Sequence, residues 1–264
     1  MADPLYPTSI GHSDADSITL LGHDVAGELM GQIGFGELAY WLVAGRRPAP
    51  GELRVFEAVL VALADHGLTP SAIAARLTLT GAPESIQGAL AAGLLGGGSR
   101  FLGVTEDCGR WLADALAAWE GERPVDDAGW DELATVAVRR QREARKLLPG
   151  LGHPVHKVAD PRTPVIYRIA EQSGTLGPHL QLFAAVGRVH PQILGRTLVL
   201  NGAGVCGAAL ADLGFPADTL RGLALLARTA GLLGHIAEEQ RRPIGDAIYA
   251  NVDRAADYLP MPPV

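Results

Sequence analysis

Residues 148–162 read Leu-Pro-Gly-Leu-Gly-His-Pro-Val-His-Lys-Val-Ala-Asp-Pro-Arg, crowding two histidines, a lysine, an aspartate and an arginine into one short stretch. An imidazole exchanges protons near neutral pH, and a guanidinium grips a carboxylate through two parallel N–H groups. Gly150 and Gly152 permit positive φ, while Pro149, Pro154 and Pro161 prevent a long helix. His153 is therefore expected on a stiff, irregular loop that can aim a side chain at a small molecule. The competing reading is a polar surface loop with a solvated histidine.

Composition narrows the partners. The chain has 264 residues, 48% hydrophobic and 19% charged, so it can bury a sizeable core. A net charge of −7 argues against a general nucleic-acid or anionic-membrane binder. Cys108 and Cys206 form no Cys-x-x-Cys pair, so a disulfide framework or zinc site is not expected and the default location is cytoplasmic. The opening Met-Ala-Asp-Pro-Leu-Tyr carries no leader pattern. No apolar run is long enough for a membrane span, and Arg221, Arg228 and His235 interrupt the most apolar late segment. Metal-ligand spacing, internal repeats and Rossmann or P-loop glycine patterns are also missing.

The elements that must position the loop are helical. Aromatics are few, Ala, Leu and Gly dominate, and no strand series is visible. Residues 1–34 read as loop, with turns at Asp14 and Asp16. The spacing predicts helices over 35–44, 50–65, 70–78, 83–95, 105–119 and 130–146, the last with a basic tail from Arg139 to Lys146. Further helices are expected over 164–172, 178–189, 191–200, 207–213 and 219–240, with a glycine-rich turn at 201–204 and a Pro-rich tail from Tyr258. Gly96-Gly97-Gly98 reads as a bend or an anion-binding concavity.

These motifs carry a family resemblance. Gly-x-Gly-His-x-Val-x-Lys-x-x-Asp-Pro-Arg at 150–162 resembles the signature loop of citrate synthases and of the citryl-CoA lyase module of ATP-citrate lyase. The stretch 35–48, Ala64-Asp65-His66-Gly67, the segment 201–216 and Ala227-Arg228-Thr229-Ala230-Gly231 are similar to further family motifs in the same order. Thr8-Ser9-Ile10, Gly93-Leu94-Leu95, Ser99-Arg100-Phe101 and the short stretch before the first motif lean toward the lyase module. The resemblance implies an all-α, citrate synthase-like fold, with a large helical domain (1–150 and 226–264) and a smaller one (151–225). It implies a homo-oligomer, dimer or higher, whose ligands are a small carboxylate and a coenzyme A thioester. No cofactor is held permanently.

Matched motif by motif, His66, His153, Arg162, Arg228 and Asn201 resemble the residues that hold a dicarboxylate keto acid. Lys146, Gly150 and Gly152 are the expected coenzyme A contacts. His153, His66, Ser99 and His156 are the candidate catalytic residues. The departures are specific. Ser99 stands where the synthases have a histidine and the lyase module an aspartate. The family's Asn-Val-Asp turn reads Asn201-Gly202-Ala203 here, so a methyl replaces the proton-transferring carboxylate. Pro154 replaces the family's loop arginine, and His156 its aromatic. Asn251-Val252-Asp253 repeats the letters, but out of order.

Condensation needs a base to take the weakly acidic α-proton of an acyl-CoA, and that base is the missing aspartate. Cleavage starts at a tertiary hydroxyl, whose proton His153 could accept. The expectation is therefore a lyase that splits a citryl-CoA-type 3-hydroxyacyl-CoA into a keto acid and an acyl-CoA. The alternatives are a carboxylate- or CoA-ester-binding sensor without turnover, and a synthase-type acyltransferase with an altered substrate.

Overall fold

The computed structural model describes residues 6–261. Met1–Leu5, on which most of the leader reading rests, and the last three residues of the Pro-rich tail lie outside it. Among the described residues the chain begins with a small antiparallel sheet, β1 (Gly11–Ser13), β2 (Ile18–Leu20) and β3 (His23–Asp24), followed by a π-helical turn at Val25–Leu29. The sequence reading assigned this region to loop. Asp14 makes the hairpin: its carboxylate accepts the N–H groups of Asp16 and Ser17 at 2.9 and 2.8 Å.

Eleven α-helices follow among the described residues: α1 (Phe35–Ala44), α2 (Pro50–Ala64), α3 (Pro70–Gly81), α4 (Ile86–Leu95), α5 (Val104–Ala117), α6 (Asp127–Glu143), α7 (Arg162–Gln172), α8 (Pro178–Leu194), α9 (Gly202–Asp212), α10 (Ala217–Arg241) and α11 (Gly245–Ala255). The fold is mostly helical, as the composition requires. Local chemistry sets the ends. Gly45 closes α1 in the left-handed conformation, and Thr69 Oγ1 caps α3 one residue before Pro70.

Three expectations are corrected. The helices expected over 178–189 and 191–200 are one, α8, with Pro191 in its last turn, where the missing N–H costs a single bond. The glycine-rich turn expected at 201–204 is instead the start of α9, capped by the Asn201 side chain on Gly204 N–H at 2.8 Å. Helix α11 was not anticipated at all.

The principal core gathers buried side chains from Ala39 to Ala227, with Phe56, Phe183, Leu180 and Leu210 fully enclosed. Helix α6 packs on α8 and α5 on α9. The segment 151–225 therefore shares its core with residues from the first half of the chain. A second, smaller cluster joins α3, α4 and the far half of α10 through Ala75, Leu79, Ala89, Leu232 and Ile236.

Close backbone approach brings the 148–162 loop to α9. A Cβ placed on Gly204 would stand 2.5 Å from Gly150 Cα and 2.8 Å from Phe183 Cζ. Here glycine serves proximity, not flexibility. Gly204→Ala is expected to cost about 1–3 kcal/mol, the usual range for overpacking, and a thermal melt of the variant beside the parent reads it directly.

Candidate active site

The 148–162 loop is stitched to the strand-like segment before α9. Gly152 N–H donates to Val199 O at 2.7 Å, Asn201 N–H to Gly150 O at 2.8 Å, and the Asn201 amide to Gly152 O at 2.8 Å. Gly150 (φ +81) and Gly152 (φ +83) take the left-handed conformation that this path requires. Asp160, fully buried at its side chain, accepts Gly202 N–H at 2.7 Å and forks onto Arg162, with Nε to Oδ1 at 3.0 Å and Nη2 to Oδ2 at 2.8 Å. Burial alone would raise the Asp160 pKa, but these donors prevail and hold the carboxyl well below the usual carboxylate range.

Both site arginines then reach the end of α2. Arg162 Nη1 donates to Ala62 O at 3.1 Å, and Arg228 Nε and Nη2 donate to Leu63 O at 3.4 and 3.2 Å. These carbonyls lie in the last turn of the helix, where backbone partners run out and the dipole favours a cation. His66 follows two residues after α2 ends, in a turn that Gly67 (φ +73) completes.

Across from it stand the loop histidines. Ring centroids are 5.0 Å apart for His66 and His153, 4.4 Å for His153 and His156, and 5.8 Å for His66 and His156. One nitrogen from each ring falls within 4.8 Å of the others, and all three side chains are half-buried.

The three rings are not equivalent. His153 Nδ1 accepts the backbone N–H groups of Val155 and His156 at 3.1 and 2.9 Å. A nitrogen that accepts carries no proton, so the neutral ring is protonated at Nε2. Burial, and then the neighbouring imidazoles of His156 and His66, push the His153 pKa down. His153 thus presents a fixed N–H donor, which reverses the proton-accepting role expected from sequence. The ring nitrogens of His66 and His156 make no hydrogen bond among the described residues, so these two rings are free to accept.

The same tautomer decides the question of a metal. Three imidazoles at this spacing match a common ligand set for a transition metal. A cation needs a lone pair from each ring, and the lone pair of neutral His153 is already engaged by two backbone amides. The arrangement suits an oxygen ligand that accepts from His153.

Arg228 and Arg162 also differ. Arg162 is neutralised by Asp160. Arg228 is only 6% exposed and has no ion-pair partner among the described residues. Burial lowers its pKa and nearby Arg162 lowers it further, with Asp65 opposing. A buried guanidinium with spare N–H groups is an anion site in waiting.

Other expected contacts are placed elsewhere. The Asn201 amide accepts Gly204 N–H and donates to Gly152 O, so Asn201 ties the loop to α9. Gly150 is buried with its carbonyl engaged, and Gly152 spends both its N–H and its carbonyl on the 199–201 segment. Lys146 is exposed, and Ser99 lies on the exposed loop between α4 and α5 without a hydrogen bond to the imidazoles. Ala203 is the second residue of α9, half-buried against the core. Asp253 is exposed on α11, and no hydrogen bond ties it to these rings among the described residues.

A helical scaffold with this loop, this histidine turn and these two arginines places the chain in a family. Residues 30–248 match the citrate synthase C-terminal domain, and the chain belongs to the citrate synthase family. The citryl-CoA lyase of Hydrogenobacter thermophilus is similar in structure, with a TM-score of 0.84 and 29% identity over 99% of this chain and 97% of that one. An ATP citrate lyase from Methanothrix soehngenii, solved with citrate and coenzyme A, shares the fold at a TM-score of 0.79 and 22% identity, over all of this chain and 43% of that one. A citrate synthase from Deinococcus radiodurans is 25% identical over 207 residues, 75% of this chain and half of that relative's length. No helix among the described residues is long and apolar enough to cross a membrane.

The depressed His153 pKa has a definite sign. The folded ring resists protonation that the unfolded ring accepts, so its contribution to stability is present in full above the ordinary imidazole range and is lost as pH falls through the lowered folded value. Protonation also puts a hydrogen on Nδ1 against two N–H donors. Amide hydrogen exchange, corrected for intrinsic rate, is expected to show the Val155 and His156 amides losing protection between pH 7.5 and 5, while amides in α9 keep theirs. Treatment with a chelator is expected to leave the thermal melt of the protein unchanged.

Proposed function

We propose that the chain is a carbon–carbon lyase that cleaves a citryl-CoA-type 3-hydroxyacyl-CoA to a keto acid and an acyl-CoA. One observation carries the reading: three clustered imidazoles, one of them a fixed donor, with His66 just beyond the end of α2, where the buried guanidinium of Arg228, without an ion-pair partner among the described residues, holds Leu63 O. A carboxylate of the substrate fills the place of the missing counter-ion on Arg228. His66 and the remaining N–H groups of Arg162 hold the rest of the dicarboxylate.

His153 Nε2–H points a hydrogen bond at the tertiary hydroxyl oxygen. His156 takes the hydroxyl proton. The oxygen electrons form the new carbonyl as the C–C bond breaks, and the bond's electrons leave as the thioester enolate. The enolate carbon then takes a proton from water, and His156 returns the proton it accepted to the hydroxide left behind. His153 stabilises the charge that builds on the oxygen, an oxyanion-type role that a fixed donor performs without reorganisation. The methyl of Ala203 removes the group that would deprotonate an acyl-CoA, so condensation loses more than cleavage does.

The relatives support the direction. The structure similar at 29% identity is a citryl-CoA lyase, and it matches this chain over nearly its full length. A second reading rests on Ala203 itself. Without a carboxylate in that first turn of α9, the pocket can bind an anion without turnover, as a sensor would.

The test is to incubate the purified protein with citryl-CoA and follow acyl-CoA and keto acid. Release of both products is expected. His156→Gln is expected to lower kcat by about 10²–10⁴-fold, the span of general acid–base catalysis. Arg228→Leu is expected to abolish saturation by citrate, and Ala203→Asp to raise condensation more than cleavage. Saturable citrate binding without product would replace the lyase with the sensor.

A further inference from the structure

A chain of polar groups, buried at Glu239 and Arg76 and open to solvent at Asp65, runs from the start of α11 to the turn of His66, and the reaction assigned above leaves it unused. Glu239, 4% exposed, accepts the N–H groups of Ile244 and Gly245 at 2.8 and 2.7 Å and takes Arg76 Nη1 at 2.9 Å. Arg76, 2% exposed, also pairs with Glu238 and points Nε and Nη2 at His235 Nδ1, at 3.2 and 3.0 Å. His235 Nε2 lies 2.9 Å from Asp65 Oδ1, and Asp65 Oδ2 accepts Gly67 N–H at 2.7 Å. Asp65 and Gly67 flank His66.

The chemistry of the chain has only one polarity. A guanidinium has hydrogens and no lone pair to offer, so His235 Nδ1 must accept. Its proton is therefore on Nε2 and is donated to Asp65. Arg76 cannot turn away, because Glu239 and Glu238 hold it from the other side. The Asp65 carboxylate is fixed in orientation, and with it the two residues on either side of His66.

We propose that His235 is a positioning residue for His66, holding the histidine turn in register with His153 and His156 through Asp65, with Arg76 setting its tautomer. This rests on the lyase reading for the use made of His66. The placement of His66 itself does not. A role confined to holding α10 against α2 would change stability alone. A positioning role changes the alignment of a reacting group, where an error near 1 Å costs up to about 10²-fold.

The experiment compares His235→Leu, His235→Gln and Asp65→Asn with the parent, each first checked for a cooperative melt. Asp65 is largely exposed, so its variant keeps the test alive if both His235 variants unfold. In citryl-CoA cleavage, His235→Leu is expected to lower kcat about 10–100-fold with KM for the CoA ester little changed, and Asp65→Asn to lower it in the same sense. His235→Gln, whose side-chain amide keeps a donor near Nε2, is expected to recover most of the loss.

An activity-free measurement separates the two proposals. Modification of His66 by diethyl pyrocarbonate, read by mass spectrometry against exposed His12, is expected to quicken several-fold in His235→Leu and to return toward the parent rate in His235→Gln. If the parent cleaves nothing but this labelling pattern appears, the lyase reading fails and the positioning role stands. Parent-like kcat and parent-like His66 labelling in folded His235→Leu would overturn the positioning role.

Discussion

The last turn of α2 is the constraint on which the rest of the site depends. A helix that ends inside a protein leaves carbonyls that must be met by something. Here two guanidiniums meet them, one from the start of α7 and one from the middle of α10. Hydrogen bonds to charged groups are worth about 1.5–3 kcal/mol each when buried, so neither arginine can leave without exposing the helix end. The result is a pair of guanidiniums anchored just before the turn that carries His66, one of them, Arg228, without an ion-pair partner among the described residues. Structural necessity and anion attraction are the same interaction seen from two sides.

The loop opposite α2 obeys a second economy. Much of its inward polar surface is used: Gly150 and Gly152 on the segment before α9, the Asp160 carboxylate on Gly202, and the amides of Val155 and His156 on His153. His153 Nε2 keeps a proton to give. The framework around Ala203 needs no carboxylate there, because Asn201 caps α9 and Gly204 packs on Gly150. Chemistry and scaffold are separable at this position.

Much of the fold could be read from the letters. Helix α1 was bounded by Gly45 and Pro48, and α2 by Pro50 and its apolar spacing, because both signals are local. The start of α9 was hidden, since Gly202 and Gly204 look like a turn unless one knows what touches them. Pro191 looked like a helix start, when α8 simply carries it in its last turn. The motif resemblance drew His66, His153, Arg162 and Arg228 toward one site, and the coordinates bring them to the end of α2 and the loop facing it. The tautomer of His153 was beyond sequence, because it depends on two amide directions. So was the Arg76–His235–Asp65 chain, whose members are separated by up to 170 residues and whose histidine looked only like a break in an apolar run.

Helix α10 runs without interruption from Ala217 to Arg241 and carries both Arg228 and His235. Seven residues separate them, roughly 10 Å along a rigid rod at about 1.5 Å per residue. One donates to Leu63 O in the last turn of α2, and the other donates to the aspartate just beyond it. An axial slide of this single rod would carry the carboxylate grip and the imidazole brace together, so occupancy at one end would be felt mechanically at the other without any intervening loop having to move.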